Sequence, residues 1–161
     1  MINVLPNHPD ITALVIGRAT KEHQGFLNDI KSQVDKAHLK DRILFPGEIA
    51  PDTLPDLMRG LSLVVQLPRY EGYGMTPLEG MASAVPFVAT DQGYYRNFSA
   101  QGQAGLITEN AAPDINALLS DPTRMTRMSQ TARDIAQTHF SIDQEAIGIA
   151  SVYEQLWPKE N

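Results

Sequence analysis

The sequence predicts an α/β fold built on parallel strands, and three observations lead to this prediction. Short apolar segments alternate with amphipathic helical segments along most of the chain. The first three apolar segments are followed by turn residues, at Gly17, Pro46 and Pro68. The intervals between the segments leave room for the helices that parallel crossovers need. We therefore expect one sheet with helices on both faces, and ligands bound beyond the carboxyl ends of its strands.

Five segments are predicted as strands. Residues 11–16 form a continuous apolar run, which is typical of a strand buried on both faces. The second strand is expected to stop at Pro46-Gly47 and the third at Pro68, because proline cannot donate to a strand ladder. The predicted strands are residues 11–16, 42–45, 61–67, 86–90 and 105–107.

Helices are predicted between the strands and after the last of them. Pro122 and Ser141 stand where helices begin, as a first-turn proline and as an N-cap. The last helix carries one apolar stripe, and we expect part of it, with Trp157, to be exposed. The predicted helices are residues 21–39, 52–60, 76–84, 113–120, 122–139 and 142–157.

Composition narrows the classes of function. The chain has 161 residues, 42% of them apolar, and this is the size of one soluble domain. Its net charge of −6 argues against nucleic-acid binding, which needs clustered cations. It has no cysteine, so it has no disulfide framework and no thiolate metal site. No apolar run reaches the roughly 18 residues of a membrane span, and we expect a cytoplasmic protein.

The segment from Arg69 to Glu79 carries the chemistry. Gly72 and Gly74 let the backbone approach a ligand and turn N–H groups outward, just before a predicted helix whose N-terminus attracts anions. Glu71 and Glu79 bracket this nest, and carboxylates accept hydrogen bonds from sugar hydroxyls. Such a site suits a sugar diphosphate. Simpler interpretations are that Glu71 is a solvated loop acid, and that Thr76-x-x-Glu79 is a capping box with Pro77 at the first helical position.

The motif PRYEGYGMTPLEGMASAVPFVATD, with seven residues between its two glutamates, resembles the E-x7-E motif of the group 1 (family 4) retaining glycosyltransferases. ITALVIGRA, RILFPGEI and DLMRGLSLVVQLPRYEG resemble the elements that lead to this motif in that family. The resemblance implies a Rossmann-like domain, the C-terminal half of a GT-B fold. Residues 1–140 would form this nucleotide-sugar-binding domain, and residues 141–161 a helix that crosses to the N-terminal domain.

The resemblance also assigns roles to matching positions. Glu71 would be the catalytic-site acid that holds hydroxyls of the transferred sugar, and Glu79 would hold the ribose hydroxyls. Backbone groups around the nest would bind sugar and diphosphate, and two turns would lie near the base. The implied donor-binding residues are Gly72, Gly74, Met75, Thr76, Glu79, Gly17, Arg18 and Gly47. No metal or other cofactor is implied, because the helix dipole and cationic side chains replace it.

The segment RYEGYGMTPLEGMAS most resembles the corresponding segment of bacterial mannosyltransferases of lipopolysaccharide core assembly, which use GDP-mannose. The implied partners are a nucleotide sugar, a glycan or lipopolysaccharide acceptor and an N-terminal GT-B domain, with the full enzyme at the inner face of the inner membrane. Other interpretations stay open. They are a non-catalytic nucleotide- or sugar-binding module of the same ancestry, a glucosyl- or galactosyltransferase that uses UDP- or ADP-sugars, and an unrelated flavodoxin-like regulatory domain.

The chain departs from the family pattern at its start and within the motif. Only ten residues precede Ile11, too few for a strand and a crossover helix, so the family's first and central strand, with its diphosphate-clamping cations, is expected to be missing. The chain would then be a fragment. Gly80 stands where the family usually has Ala, and Ala84 where it has Gly, so a different helix end is expected. Asn97 replaces a frequent Glu.

Overall fold

The computed structural model describes residues 1–157, and its strands and helices alternate as predicted. The strands are β1 (Ala13–Ile16), β2 (Ile43–Gly47), β3 (Val64–Gln66), β4 (Phe87–Ala89) and β5 (Gly105–Ile107). The helices are α1 (Gln24–Lys36), α2 (Leu54–Arg59), α3 (Met75–Ala82), α4 (Tyr95–Phe98), α5 (Ala111–Leu119), α6 (Pro122–His139) and α7 (Ile142–Leu156). Every strand pair is parallel, which confirms the α/β prediction. Helix α4 was not predicted.

The described residues form two compact units, each with its own parallel sheet, whereas the sequence led us to expect one sheet. Unit 1 comprises residues 1–57 and 110–122, and its sheet pairs β1 with β2. Unit 2 comprises residues 58–109 and, of the described chain, residues 123–157, and its strand order is β3-β4-β5. The domain boundary expected at residue 140 stays a prediction.

Strand β1 is less buried than its sequence predicts. Val15 and Ile16 are 42% and 37% exposed, so the prediction of a strand covered on both faces is wrong. The reason is the width of the sheet. In the described part of the chain β1 has a strand partner on one edge only, and a two-stranded sheet cannot bury all the apolar side chains of a central-strand sequence.

Strand β2 runs through Pro46 and Gly47, where it was expected to stop. The register between the strands shifts between Leu14 and Ile16, so Ile16 lies opposite Gly47. Proline is tolerated at such an irregularity because the ladder does not need its N–H there. The Gly17 N–H donates to the Gly47 carbonyl at 2.9 Å and closes the ladder.

The segment before β1 is held by one arginine. Residues 1–12 contain no strand, as expected, and a single 3₁₀ turn at Leu5–Asn7 places Leu5 in the core of unit 1. The Arg42 guanidinium donates to the carbonyls of Leu5 at 3.0 Å and Ile11 at 2.6 Å, and also to that of His8. Three backbone acceptors on one fixed cation hold the segment against β2.

Close packing in unit 2 explains the glycine at position 80. A Cβ added to Gly80 would lie 2.8 Å from Cγ2 of Val64, which is buried in β3. The missing side chain therefore lets α3 approach β3. Packing is equally close within the sheet, where a Cβ on Gly105 would lie 2.2 Å from the buried Phe87 ring.

Helix α3 ends in a Schellman motif despite the absence of glycine. The N–H of Val85 donates to the Gly80 carbonyl at 2.8 Å, and the N–H of Ala84 to the Met81 carbonyl at 2.9 Å. Ala84 occupies the left-handed region, with φ of 60°. The expectation of a different helix end is therefore wrong. Alanine adopts the strained conformation because the two hydrogen bonds and the burial of Val85 hold it there.

We expect Ala84→Gly to stabilise the protein by about 0.5–1 kcal/mol, because relief of left-handed strain exceeds the entropy cost of glycine. Urea unfolding would measure the change. Ala82→Gly is the matched control, since Ala82 is exposed and helical, and there glycine should destabilise by about 0.5–1 kcal/mol. Loss of stability in Ala84→Gly would contradict the strain argument.

The last helix is an exposed amphipathic element. Ser141 caps it as predicted, with its Oγ accepting from the Gln144 N–H at 3.4 Å. No residue of α7 is buried, and Ile142 and Trp157 are 81% and 82% exposed, as the sequence led us to expect. None of the helices within residues 1–157 has the length and hydropathy of a membrane-spanning segment.

Candidate functional site

The loop between β3 and α3 forms an open helix start. Gly74 is the N-cap in the left-handed region, at φ of 103°, and the helix begins at Met75. The capping-box interpretation is therefore wrong, because Thr76 is the second helical residue and no side chain caps the helix. Pro77 is the third helical residue and not the first. The cause is Gly74, whose backbone conformation makes it the N-cap and starts the helix at Met75, two residues earlier than a Thr76 cap would.

Backbone donors at this helix start have no protein acceptor. The N–H groups of Gly74, Met75 and Thr76 make no hydrogen bond with any residue of the described chain. Pro77 has no N–H, so it adds no unsatisfied donor. Helix termini must satisfy such groups with water, side chains or ligands, and the partial positive charge here favours an anion. The N–H groups of the predicted nest at Gly74, Met75 and Thr76 thus have no acceptor within the described chain.

Glu71 is held in place by two hydrogen bonds. Its Oε1 accepts from the Gly72 N–H at 2.9 Å, and its Oε2 accepts from the Tyr95 hydroxyl at 3.3 Å. Each oxygen keeps a second lone pair for another donor. The side chain is half-buried, so the interpretation of Glu71 as a freely solvated loop acid does not describe it.

Tyr95 is a residue of this site whose contact with Glu71 the sequence did not reveal. It is fully buried at the start of α4. Burial, followed by the charge of Glu71 and the hydrogen bond to it, raises the pKa of the Tyr95 phenol to about 12. The hydroxyl therefore stays protonated and remains a donor at neutral pH. The only sequence signal was its place just after β4, at the strand ends where functional residues gather.

The loop from Gly93 to Tyr95 packs against the segment that precedes the nest, at Glu71 and Tyr73. A Cβ on Gly93 would lie 3.0 Å from the Tyr73 carbonyl and 3.2 Å from Cγ of Glu71, so only glycine leaves the two segments in contact without strain. The Tyr94 N–H donates to the Tyr73 carbonyl at 3.0 Å, and the two rings stack at 5.6 Å. Asn97, which replaces the family's frequent glutamate, is exposed.

Glu79 lies one turn into α3. Its side chain is half-buried and makes no hydrogen bond or ion pair with any residue among 1–157. A free carboxylate beside an unsatisfied helix start is available to a hydroxyl-bearing ligand. Its role toward ribose stays a prediction.

The remaining predicted residues lie together in unit 1. Gly17 and Gly47 meet at the carboxyl ends of β1 and β2, and Arg18 Nε lies 3.3 Å from Oε1 of Glu48 in an exposed ion pair. They border a cavity of about 470 Å³. Its lining includes Val15, Ile16, Gly17, Arg18, Gly47 and Glu48. Arg18 is therefore already paired, and a ligand would have to share it with Glu48.

Metal binding has no prepared site in the described chain. Within residues 1–157 no three His, Asp or Glu side chains come together as a cluster of ligands. The expectation that the protein works without a metal stays a prediction. The polar groups around the start of α3 are instead backbone N–H donors, the carboxylates of Glu71 and Glu79, and the buried phenol of Tyr95.

Comparison with known proteins identifies relatives over nearly the whole chain. The sequence pattern of the family described as glycosyl transferases group 1 matches residues 1–135. The lipopolysaccharide core biosynthesis mannosyltransferase LpsB of Rhizobium meliloti is 43% identical over 97% of the chain, and LpcC of Rhizobium leguminosarum bv. viciae is 39% identical over 97%. The chain spans 46% and 45% of their lengths, about half of each.

Solved structures share the fold. The C-terminal domain of the group 1 glycosyl transferase LpcC from Francisella tularensis superposes with a TM-score of 0.82 at 31% identity, over 88% of this chain and 75% of that one. HepE from Anabaena in complex with UDP gives a TM-score of 0.84 over 95% of this chain and 44% of that one. At 23% identity, HepE shows that the fold is shared and nothing more.

Proposed function

We infer that this chain, which belongs to the glycosyl transferases group 1 family, binds the nucleotide-sugar donor of a glycosyltransferase. The observation that carries this proposal is the open helix start at Met75 with Glu71 and Glu79 on either side. The helix start suits the diphosphate anion of a nucleotide sugar, and the two carboxylates suit hydroxyls of its sugar and of its ribose. The relatives are about twice as long, so transfer itself is proposed for a protein in which this chain is one half.

Each part of the unit 2 site then has a task. The N–H groups of Met75 and Thr76 hold the diphosphate and stabilise the charge that develops when it departs. Glu71 accepts hydrogen bonds from hydroxyls of the sugar, and Glu79 from the ribose. The protein supplies position and charge stabilisation rather than a covalent nucleophile. The role of Gly17, Arg18 and Gly47 near the base is implied by the family resemblance alone and stays a prediction.

The finer proposal is transfer of mannose from GDP-mannose to a lipopolysaccharide core acceptor. Its support is the likeness to LpsB and LpcC at 43% and 39% identity. An N-terminal GT-B domain would supply the acceptor contacts, at the inner face of the bacterial inner membrane. The rival functions are a UDP- or ADP-sugar transferase and a non-catalytic binding module. Nucleotide preference separates the first rival from the proposal, and turnover by the full-length protein separates the second.

Ligand-observed NMR with GDP-mannose, GDP, UDP and ADP tests the donor. We expect selective binding of the guanine nucleotides, weakened about tenfold or more by Glu79→Gln, because a hydrogen bond to a charged group contributes about 1.5–3 kcal/mol. Glu154→Gln is the matched control, since Glu154 is exposed on α7. It should leave the signals unchanged.

Preference for UDP or ADP would overturn the GDP-mannose assignment and keep the donor site. Nucleotide affinity that is unchanged in Glu79→Gln would contradict the proposed contact between Glu79 and the ribose. Failure to bind any of the four nucleotides would contradict a donor-binding function for the chain as it stands.

A further inference from the structure

Tyr95 contacts the segment between β3 and α3, from which it is distant in sequence. Its hydroxyl donates to Oε2 of Glu71 at 3.3 Å, across 24 residues of chain. Gln66, at the end of β3, also acts on the hydroxyl, since its side chain lowers the pKa of Tyr95. The hydroxyl therefore stands between the carboxyl end of a core strand and the acid of the motif.

The ring of Tyr95 is locked by its surroundings. It is fully buried, and its centroid lies 6.3 Å from that of the buried Phe87 ring. Its edge occupies the space beside Gly74, where a Cβ would come within 1.9 Å of Cε1. A phenol held on these sides cannot swing away, so its hydroxyl is a fixed donor for Glu71.

Two fixed donors define the plane of the Glu71 carboxylate. The Gly72 N–H holds Oε1, and Tyr95 holds Oε2. Rotation about the last bond of the side chain would break one or both hydrogen bonds. The free lone pairs of the carboxylate are thus aimed before any ligand arrives, which lowers the entropy that binding must overcome.

We propose that Tyr95 is a positioning residue for Glu71 and that its hydroxyl sets the orientation in which Glu71 receives the sugar of the donor. The proposal rests on the proposed function of Glu71. Tyr95 itself is fully buried and its hydroxyl donates to Glu71, so its effect passes through the carboxylate. A purely structural ring would instead support the fold and both halves of the donor equally.

The affinities of GDP-mannose and GDP for Tyr95→Phe separate these roles. The substitution removes the hydroxyl and keeps the ring. We expect GDP-mannose to bind about threefold to tenfold more weakly while GDP affinity stays within about twofold, because GDP lacks the sugar that Glu71 would contact. Glu71→Gln should show the same selectivity, and the double variant should lose less than the sum of the two. Tyr153→Phe, exposed on α7, is the control for loss of a hydroxyl.

The contact itself has a readout that needs no ligand. In protein labelled with ¹³C at tyrosine Cζ, the signal absent from Tyr95→Phe should stay that of a phenol at pH 11, since the pKa of Tyr95 is about 12. Glu71→Gln should move its titration to lower pH, because the charge of Glu71 raises that pKa. An unchanged titration would overturn the pairing of Tyr95 with Glu71.

The outcomes for the two proposals differ. Equal loss of GDP and GDP-mannose binding in Tyr95→Phe would make the residue structural and overturn positioning while the donor site stands. No loss for either ligand would overturn it as well. Absence of binding by the unsubstituted chain would contradict the donor-binding function and, with it, the positioning role, whatever the tyrosine titration gives.

Discussion

Gly74→Ala is expected to destabilise the protein by about 2–5 kcal/mol, the sum of about 1–2 for left-handed strain and about 1–3 for overpacking. Gly74 has φ of 103°, and its added Cβ would lie 1.9, 2.6 and 2.9 Å from three atoms of the Tyr95 ring. The ring is fully buried, so it cannot yield into solvent. Either it or the start of α3 must shift, and a shift of the ring would also disturb its hydrogen bond to Glu71.

Urea unfolding of Gly74→Ala, with circular dichroism, measures this loss. Gly72→Ala is the matched control, because Gly72 is exposed and no atom lies within 4 Å of a Cβ added there. It should stay within about 1 kcal/mol of the unsubstituted protein. Equal stabilities for the two variants would mean that the overlap with Tyr95 is relieved at no cost.

Arg42→Met should release the N-terminal segment of unit 1 and cost about 2–4 kcal/mol there, because three carbonyls lose a charged donor. Those carbonyls belong to Leu5, His8 and Ile11, and Leu5 is fully buried. Arg42→Lys should recover only part of the loss, since one ammonium cannot reproduce the geometry of a guanidinium that reaches all three.

Amide hydrogen exchange gives the local readout. The N–H groups of Leu5, His8 and Ile11 each donate within the segment, and their protection should fall in Arg42→Met. Arg127→Met is the control, because Arg127 is exposed on α6. Protection that survives in Arg42→Met would show that burial of Val4 and Leu5 suffices to hold the segment.

The elements that could be predicted are those set by local pattern. Strand β5 and helix α6 lie where the sequence placed them, and Ser141 caps α7 through a side chain three residues from its partner. The open helix start could also be predicted, since Gly74 signals it directly. Periodicity, caps and glycines act within a few residues, and a sequence displays them.

What could not be predicted depends on contacts between distant segments. The exposure of β1 follows from how many strands pair in its sheet, which an apolar run does not record. The pairing of Tyr95 with Glu71 spans 24 residues, and nothing in either local pattern announces it. Ala84 keeps a left-handed turn because tertiary packing outweighs its conformational preference.

The contact between Gly74 and the Tyr95 ring constrains the routes by which this sequence can change during evolution. A side chain at position 74 is accepted only after the ring at position 95 has become smaller, because the two compete for one volume. Loss of the ring first opens a cavity and removes the hydroxyl beside Glu71. We therefore expect the effects of substitutions at the two positions to depend on each other, so that Gly74→Ala costs less stability when the side chain at position 95 is smaller.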